Sequence, residues 1–182
     1  MQTIVGLDPG SRNLGFTELL VDCNGQMRPT VVKAQLIDLG GKRASITDQA
    51  RALTKYILPY RGKPNVHFAV ESQFRGARNI MIHGIIVALC HAFNIPCETY
   101  HAGTVKRALG MQCKGHASNK KEVVEWANRE TSALNIDFCI RYMDNDNATV
   151  NKLLQSDHVC DALALAMYRY KLLSGKWQQI NI

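Results

Sequence analysis

Asp8, Glu71 and Asp161 are acids set into apolar stretches, and that setting demands an explanation. An unpaired carboxylate buried among hydrocarbon costs several kcal/mol, so such an acid sits beside a metal, a cation or a set of hydrogen-bond donors. In Thr3-Ile-Val-Gly-Leu-Asp8, strand alternation places Ile4, Gly6 and Asp8 on one face and Val5 and Leu7 on the other. Taken alone, Asp8 could simply accept turn amides from Pro9-Gly10. Val66-His-Phe-Ala-Val-Glu71 repeats the pattern, with Ala69 and Glu71 opposite Phe68 and Val70. Near the C-terminus, Asp157 and Asp161 are four apart and His158 and Asp161 three apart, so either pair shares a helical face. Acids gathered without built-in cations repel one another and need a divalent ion, and their oxygen ligands suit Mg²⁺ or Mn²⁺. Two such ions about 3.5–4 Å apart activate a water and stabilise the leaving oxygen of a phosphodiester, which is metal-assisted hydrolysis of nucleic acid.

The bulk properties agree. A chain of 182 residues, 46% apolar and 20% charged, is expected to fold as one globular domain over residues 1–182. Its net charge of +7 points to a polyanionic partner, although charge alone does not choose nucleic acid over an anionic membrane surface. Cys23, Cys90, Cys97, Cys113, Cys139 and Cys160 are scattered without a Cys-x-x-Cys pair, as expected of free thiols in a reducing intracellular compartment. No basic leader precedes the first strand, and no run approaches the roughly 18 apolar residues of a membrane span, so no membrane partner is expected.

The elements that must position the acids follow from periodicity. After the first strand, Leu14 to Asp22 and Thr30 to Asp38 read as strands separated by Asn24-Gly25 and Pro29, which makes three antiparallel strands in a row. Ala50, Leu53, Ile57 and Leu58 give Ile46 to Tyr60 helical spacing. Val66 to Glu71 is a strand. Ile80 to Phe93 is an apolar helix whose Gly84 and Ala88 allow close packing against the sheet or a second subunit. Pro96 to Tyr100 resembles a short strand, and Thr104 is the expected cap of a helix containing Val105, Lys106 and Leu109. Ser118 or Asn119 caps the next helix. Ser132 to Val150 is expected to be loop with one strand-like piece at Phe138 to Tyr142, and Ser156 to cap a last helix from Asp157 to about Leu173. Strands first and helices interleaved later predict an α/β mixed sheet with its first strand central.

Gly6-Leu-Asp-Pro-Gly-Ser-Arg12 followed by Gly15-Phe16, then Ala69-Val-Glu-Ser-Gln-Phe74, then His158-Val-Cys-Asp-Ala-Leu-Ala-Leu-Ala166 resemble, in order, the three acidic motifs of the RuvC family of Holliday-junction resolvases. The resemblance covers roughly residues 3 to 173. It implies an RNase H-like fold with a central mixed five-stranded sheet flanked by helices. It also implies a homodimer that resolves four-way DNA junctions by paired symmetric nicks, using two Mg²⁺ per active site with Mn²⁺ able to substitute. By position, Asp8, Glu71 and Asp161 match the metal-binding acids, with Asp8 expected to serve both ions. His158 falls on a fourth ligand, a role that Asp157 could equally take. Phe74 matches an aromatic that wedges into the junction, with Arg75 and Arg78 beside it for DNA. Lys106 matches a basic residue near the scissile phosphate. The family's catalytic lysine falls on Lys120 or Lys121; Lys121 is the catalytic candidate, and Lys114 and Lys120 join the DNA path. The helix over 80–93 is the candidate dimer interface, since cutting two opposed strands calls for two sites related by a two-fold axis. One departure is the segment from Ser132 to Gln155, longer than in compact bacterial members and carrying the acidic run Asp144-Asn-Asp-Asn147.

Three other classes compete. A strand-Asp-x-Gly start also occurs in actin-like ATPases, but those need a second phosphate-binding strand and a second domain. A module that binds branched DNA without cutting it would share the fold, and the intact acid set argues against it. Cys97, His101, Cys113 and His116 could form a zinc site, although their spacing is irregular.

Overall fold

A computed structural model of the chain describes residues 1–22, 28–40, 43–112, 116–133 and 156–175. The elements are β1 (Gln2–Pro9), β2 (Asn13–Val21), β3 (Thr30–Asp38), α1 (Ile46–Ile57, continued by a 3-10 turn Leu58–Tyr60), β4 (Val66–Glu71), α2 (Ala77–Ala92), β5 (Cys97–Tyr100), α3 (Ala102–Ala108), α4 (His116–Ala133) and α5 (Asp157–Leu173). Five strands form one sheet in the order β3-β2-β1-β4-β5. The two hairpin pairs β1/β2 and β2/β3 are antiparallel, while β4 joins β1, and β5 joins β4, in parallel. The expected mixed sheet with a central first strand is therefore present. The Asn24-Gly25 turn and the Phe138 to Tyr142 piece lie outside the described residues.

Alternation along β1 and β4 sorts the core into two layers as the sequence predicts. Ile4 and Ala69 face α5 and α4, together with Leu163, Ala166 and Trp126. Val5, Leu7, Phe68 and Val70 face α1 and α2, together with Leu53, Ile57, Ile82 and Ile86. In β3, Lys33 opposes Glu18 and Val31 opposes Leu19, which leaves Val32 as an extra residue. That bulge lets Val31 and Ala34 reach the same core, a shift that period-two counting does not anticipate.

Helix registers depart from expectation at several places. On α1 the buried stripe is Gln49, Leu53 and Ile57, whereas Leu58 is 46% exposed. A buried Gln is tolerated because its amide is satisfied on both sides: Nε2 donates to the Ser11 carbonyl at 2.9 Å, and Oε1 accepts from Arg78 Nε at 2.9 Å. On α2, Ile82, Ile86 and Cys90 face the sheet, so Gly84 and Ala88 point outward and do not provide the close sheet contact. The cap of α3 is His101, not Thr104; its Nδ1 accepts from the Gly103 amide at 3.2 Å. Asn119 lies within α4, which begins earlier, at His116. Ser156 precedes α5 as expected, yet its side chain makes no capping bond, and its carbonyl accepts from Cys160 N at 3.0 Å.

The close contact lies between α5 and the sheet. A Cβ on Gly6 would fall 1.9 Å from the Ala162 carbonyl oxygen, and one on Gly15 would fall 2.0 Å from that of His158. Both glycines sit on the α5 side, so the helix backbone rests directly on β1 and β2. Gly15→Ala must push α5 away and is expected to cost about 1–3 kcal/mol or more, as overpacking does. Gly84→Ala meets nothing within 4 Å and is expected to be neutral or to stabilise α2 by up to about 1 kcal/mol. Urea unfolding of both variants checks the contrast, and equal effects would contradict this packing.

Candidate active site

Asp8 ends β1, where the parallel pairing of Leu7 with Val70 sets Glu71 beside it on the neighbouring strand. On the other side Asp8 opposes Gly15, whose missing side chain lets the first turn of α5 lie across the strand ends. His158 is thereby held over Asp8, with Nδ1 2.5 Å from Asp8 Oδ2. Asp161, one turn further, reaches Lys106 from α3, Oδ1 to Nζ 2.8 Å. Asp157, at the start of α5, pairs with Lys120 from α4 at 2.6 Å. These side chains line a cavity of about 290 Å³ at one end of the sheet, together with Pro9, Gly10, Gln73, Asn79, Ala102 and Asn119.

The electrostatics of this cavity are unbalanced. Four carboxylates face two ammonium groups and one imidazole. Glu71 is pushed up to about 9, first by burial and then by repulsion from Asp8 and Asp161, which Lys106 and the Gln73 amide only partly offset. Burial and the nearby Asp8 likewise raise Asp161. Its Oδ1 is buried and has no well-aligned hydrogen bond, so the Lys106 contact is ionic. Lys106 is raised, burial being overcome by the Asp161 ion pair. His158 is raised chiefly by its bond to Asp8. In Asp157 burial is outweighed by the bond to Lys120, and its carboxyl is lowered.

Among the described residues, no group of three or more His, Cys, Asp or Glu is arranged around a single metal position. Asp8 is engaged by His158 and Asp161 by Lys106. The donor set nevertheless fits a hard divalent cation: carboxylate oxygens from two strand ends and one helix, with the Glu71 and Asp161 carboxyls raised by burial and mutual repulsion.

The structure brings Asp8, Glu71, Asp157, His158, Asp161, Lys106 and Lys120 together. Lys121 is not among them. It is exposed on the outer side of α4, 3.5 Å from Glu125, so the lysine at the cavity is Lys120. The stripe of Val123, Trp126 and Ala127 on α4 carried that signal, since it runs back to positions 119 and 120. Phe74 is 69% exposed at the loop after β4 and Arg75 is exposed beside it. Arg78 is engaged within the protein by Gln49 and by the Ala44 carbonyl. Lys114 lies outside the described residues. Gln73, Asn79 and Asn119 were not singled out for the site; Gln73 donates to Glu71 at 3.1 Å and steadies that carboxylate. The zinc alternative gains nothing here. Cys97 packs with Cys90 toward the α2 core, His101 is exposed and committed to its cap, and the side chains of residues 113 and 116 are not described.

Comparison with known proteins yields matches at the level of structure. No protein-family model and no curated protein sequence matches the chain. Thermus thermophilus RuvC is similar with a TM-score of 0.65 at 18% identity, covering 96% of this chain and 97% of that one. Fowlpox virus resolvase, solved in complex with Holliday junction DNA, gives a TM-score of 0.67 at 14% identity, covering 94% and 99%. The yeast mitochondrial Holliday junction resolvase gives 0.63 at 13% identity, covering 95% and 82%. The chain shares the RNase H-like fold of these resolvases.

The raised carboxyls have a consequence for stability. A carboxyl that holds its proton more tightly folded than unfolded favours the fold at acidic pH, and that contribution is lost as pH climbs through its folded value, about 9 for Glu71. Raised His158 acts in the same sense. Metal-free protein is therefore expected to lose thermal stability as pH rises from about 5 to 9. Glu71→Gln should flatten that decline and melt above wild type at the alkaline end in EDTA, by about 2–4 °C per kcal/mol of repulsion relieved. A wild-type melting temperature that climbs across the same range in EDTA would exclude this arrangement.

Proposed function

We propose that this chain is a metal-dependent endonuclease that resolves four-way DNA junctions. The observation that carries the proposal is the meeting of Asp8, Glu71 and Asp161 at one end of the sheet, beside His158, Lys106 and Lys120, in a fold shared with three junction resolvases. Asp8, Glu71 and Asp161 would hold Mg²⁺, or Mn²⁺ in its place, with His158 as the further ligand and Asp157 held back by Lys120. When bound, two such ions supply an activated water and charge stabilisation at the leaving oxygen. The remaining work falls to the protein. His158, fixed by its contact with Asp8, orients a ligand nitrogen or the attacking water. Lys106 and Lys120 offset the negative charge that a phosphodiester brings into an acidic cavity, and Lys120, more exposed, is placed to meet the phosphate from the rim. Gln73 restrains Glu71. The net charge of +7 draws DNA toward a cavity that is itself acidic.

Incubation with end-labelled four-way junctions is the test. Mg²⁺ is expected to give symmetric nicks on opposed strands and Ca²⁺ binding alone. Asp8→Asn should bind without cutting. Lys120→Ala should lower the cleavage rate on the order of 100-fold, while Lys121→Ala stays within about two-fold, since an exposed ion pair contributes little. Binding without cuts in Mg²⁺ and Mn²⁺ would leave the non-cleaving module in place of the nuclease.

Paired nicks call for two copies. The outer side of α2 offers Ile80 at 44% and Met81 at 48% exposure, with Gly84 and Ala88 along the same side to let a second helix approach. Sedimentation is expected to show a dimer that Met81→Glu dissociates, converting paired nicks into single ones. A wild-type monomer on the junction would remove the dimer from the proposal.

A further inference from the structure

Phe74 does not stand alone. Its ring lies 5.6 Å from that of His101, centroid to centroid, with 30° between the planes. The two residues come from different loops, Phe74 from the connection after β4 and His101 from the junction of β5 and α3. Both are exposed, and an exposed aromatic pair on a basic protein presents ring faces to solvent at no gain to the core. The imidazole is fixed independently of Phe74. Its Nδ1 accepts from the Gly103 amide at 3.2 Å, which assigns the ring proton to Nε2 and restrains the ring plane. Ala102, the next residue, lines the acidic cavity, so the ring pair adjoins the proposed cleavage centre.

We infer that His101 is a positioning residue for base stacking: its capped imidazole backs one face of Phe74 and leaves the opposite face presented to an unpaired base at a DNA branch point. This rests on the proposed action on junctions and adds a residue to it. A phenyl ring on an exposed loop has several rotamers, and a ligand that stacks on it must first confine it. Contact with an already restrained ring confines Phe74 in the free protein, so the base meets a prepared surface. Arg75, exposed next to Phe74, supplies a cation for the phosphate flanking such a base.

His101 also caps α3, and the two roles separate by substitution. His101→Asn retains a side-chain oxygen able to accept from the Gly103 amide but has no ring. His101→Phe retains a ring and loses the cap. The probe is a four-way DNA junction with 2-aminopurine at the branch point, mixed with protein in EDTA. Binding is read by anisotropy and base unstacking by 2-aminopurine fluorescence. Wild type is expected to change the fluorescence, Phe74→Ala to abolish the change, and His101→Asn to require about 2- to 10-fold more protein for it while melting like wild type. His101→Phe, whose ring is no longer held by the cap, is expected to respond between wild type and His101→Asn and to melt lower. A full response in His101→Asn, an equal loss in both His101 variants, or no wild-type response on bound junction would overturn the inference. Outcomes for the nuclease are distinct: the wild-type fluorescence pattern with no cuts in Mg²⁺ sinks the nuclease and spares His101, whereas a protein that binds no junction sinks both.

Discussion

The backbone of α5 rests on two glycines, and the placement of the acidic cavity depends on that contact. With any Cβ at positions 6 and 15, the carbonyls of Ala162 and His158 could not come where they are. The distance between helix and sheet is thus set by absent atoms, and the first turn of α5 is brought low enough for His158 to touch Asp8. The same contact buries Val159, Leu163 and Ala166 against Ile4 and Ala69. Buried apolar surface holds the helix down, and the glycines decide how far down it goes. A hydrogen bond from the Thr17 hydroxyl to the Val159 carbonyl, 3.3 Å, pins the first turn of the helix from beneath.

That proximity concentrates negative charge. Asp8, Glu71 and Asp161 arrive from three elements, each anchored by its own apolar neighbours, so none can retreat to relieve repulsion. The fold answers with partial remedies: a proton held more firmly on Glu71, an ammonium from α3 and an imidazole from α5. Each remedy is a proton or a side-chain cation set against a carboxylate that the proposed function assigns to a metal ion.

Much of this was legible in the sequence because it is local. The two core faces of β1 and β4, the three acids and the extent of α5 all follow from period two or from an apolar run around an acid. What escaped depends on contacts between distant segments. Choosing Lys120 over Lys121 requires the rotation of α4 against α5, which Val123, Trp126 and Ala127 fix. Expecting Gln49 inside requires the Ser11 carbonyl and Arg78, neither of them near it in sequence. The His101 cap precedes the expected Thr104 because an imidazole nitrogen, rarely counted among capping groups, accepts the Gly103 amide. Gly15 lies within β2 and serves the helix above it, a role that only the α5 backbone reveals, while Gly10 sits in the tight turn, its amide donating to the Asn13 carbonyl at 2.9 Å.

Gln49 has a consequence of a different kind. Its amide donates a hydrogen bond to the turn between β1 and β2 and accepts one from Arg78 on α2, so both of its ends are spoken for. Glutamate would lack the donor and leucine would lack both functions, yet either would be an ordinary exchange elsewhere on α1. In a lineage of such chains, position 49 would change only in concert with position 78. It would look invariant without touching any substrate, and a survey of variability would then mistake a strut between a turn and a helix for part of a functional site.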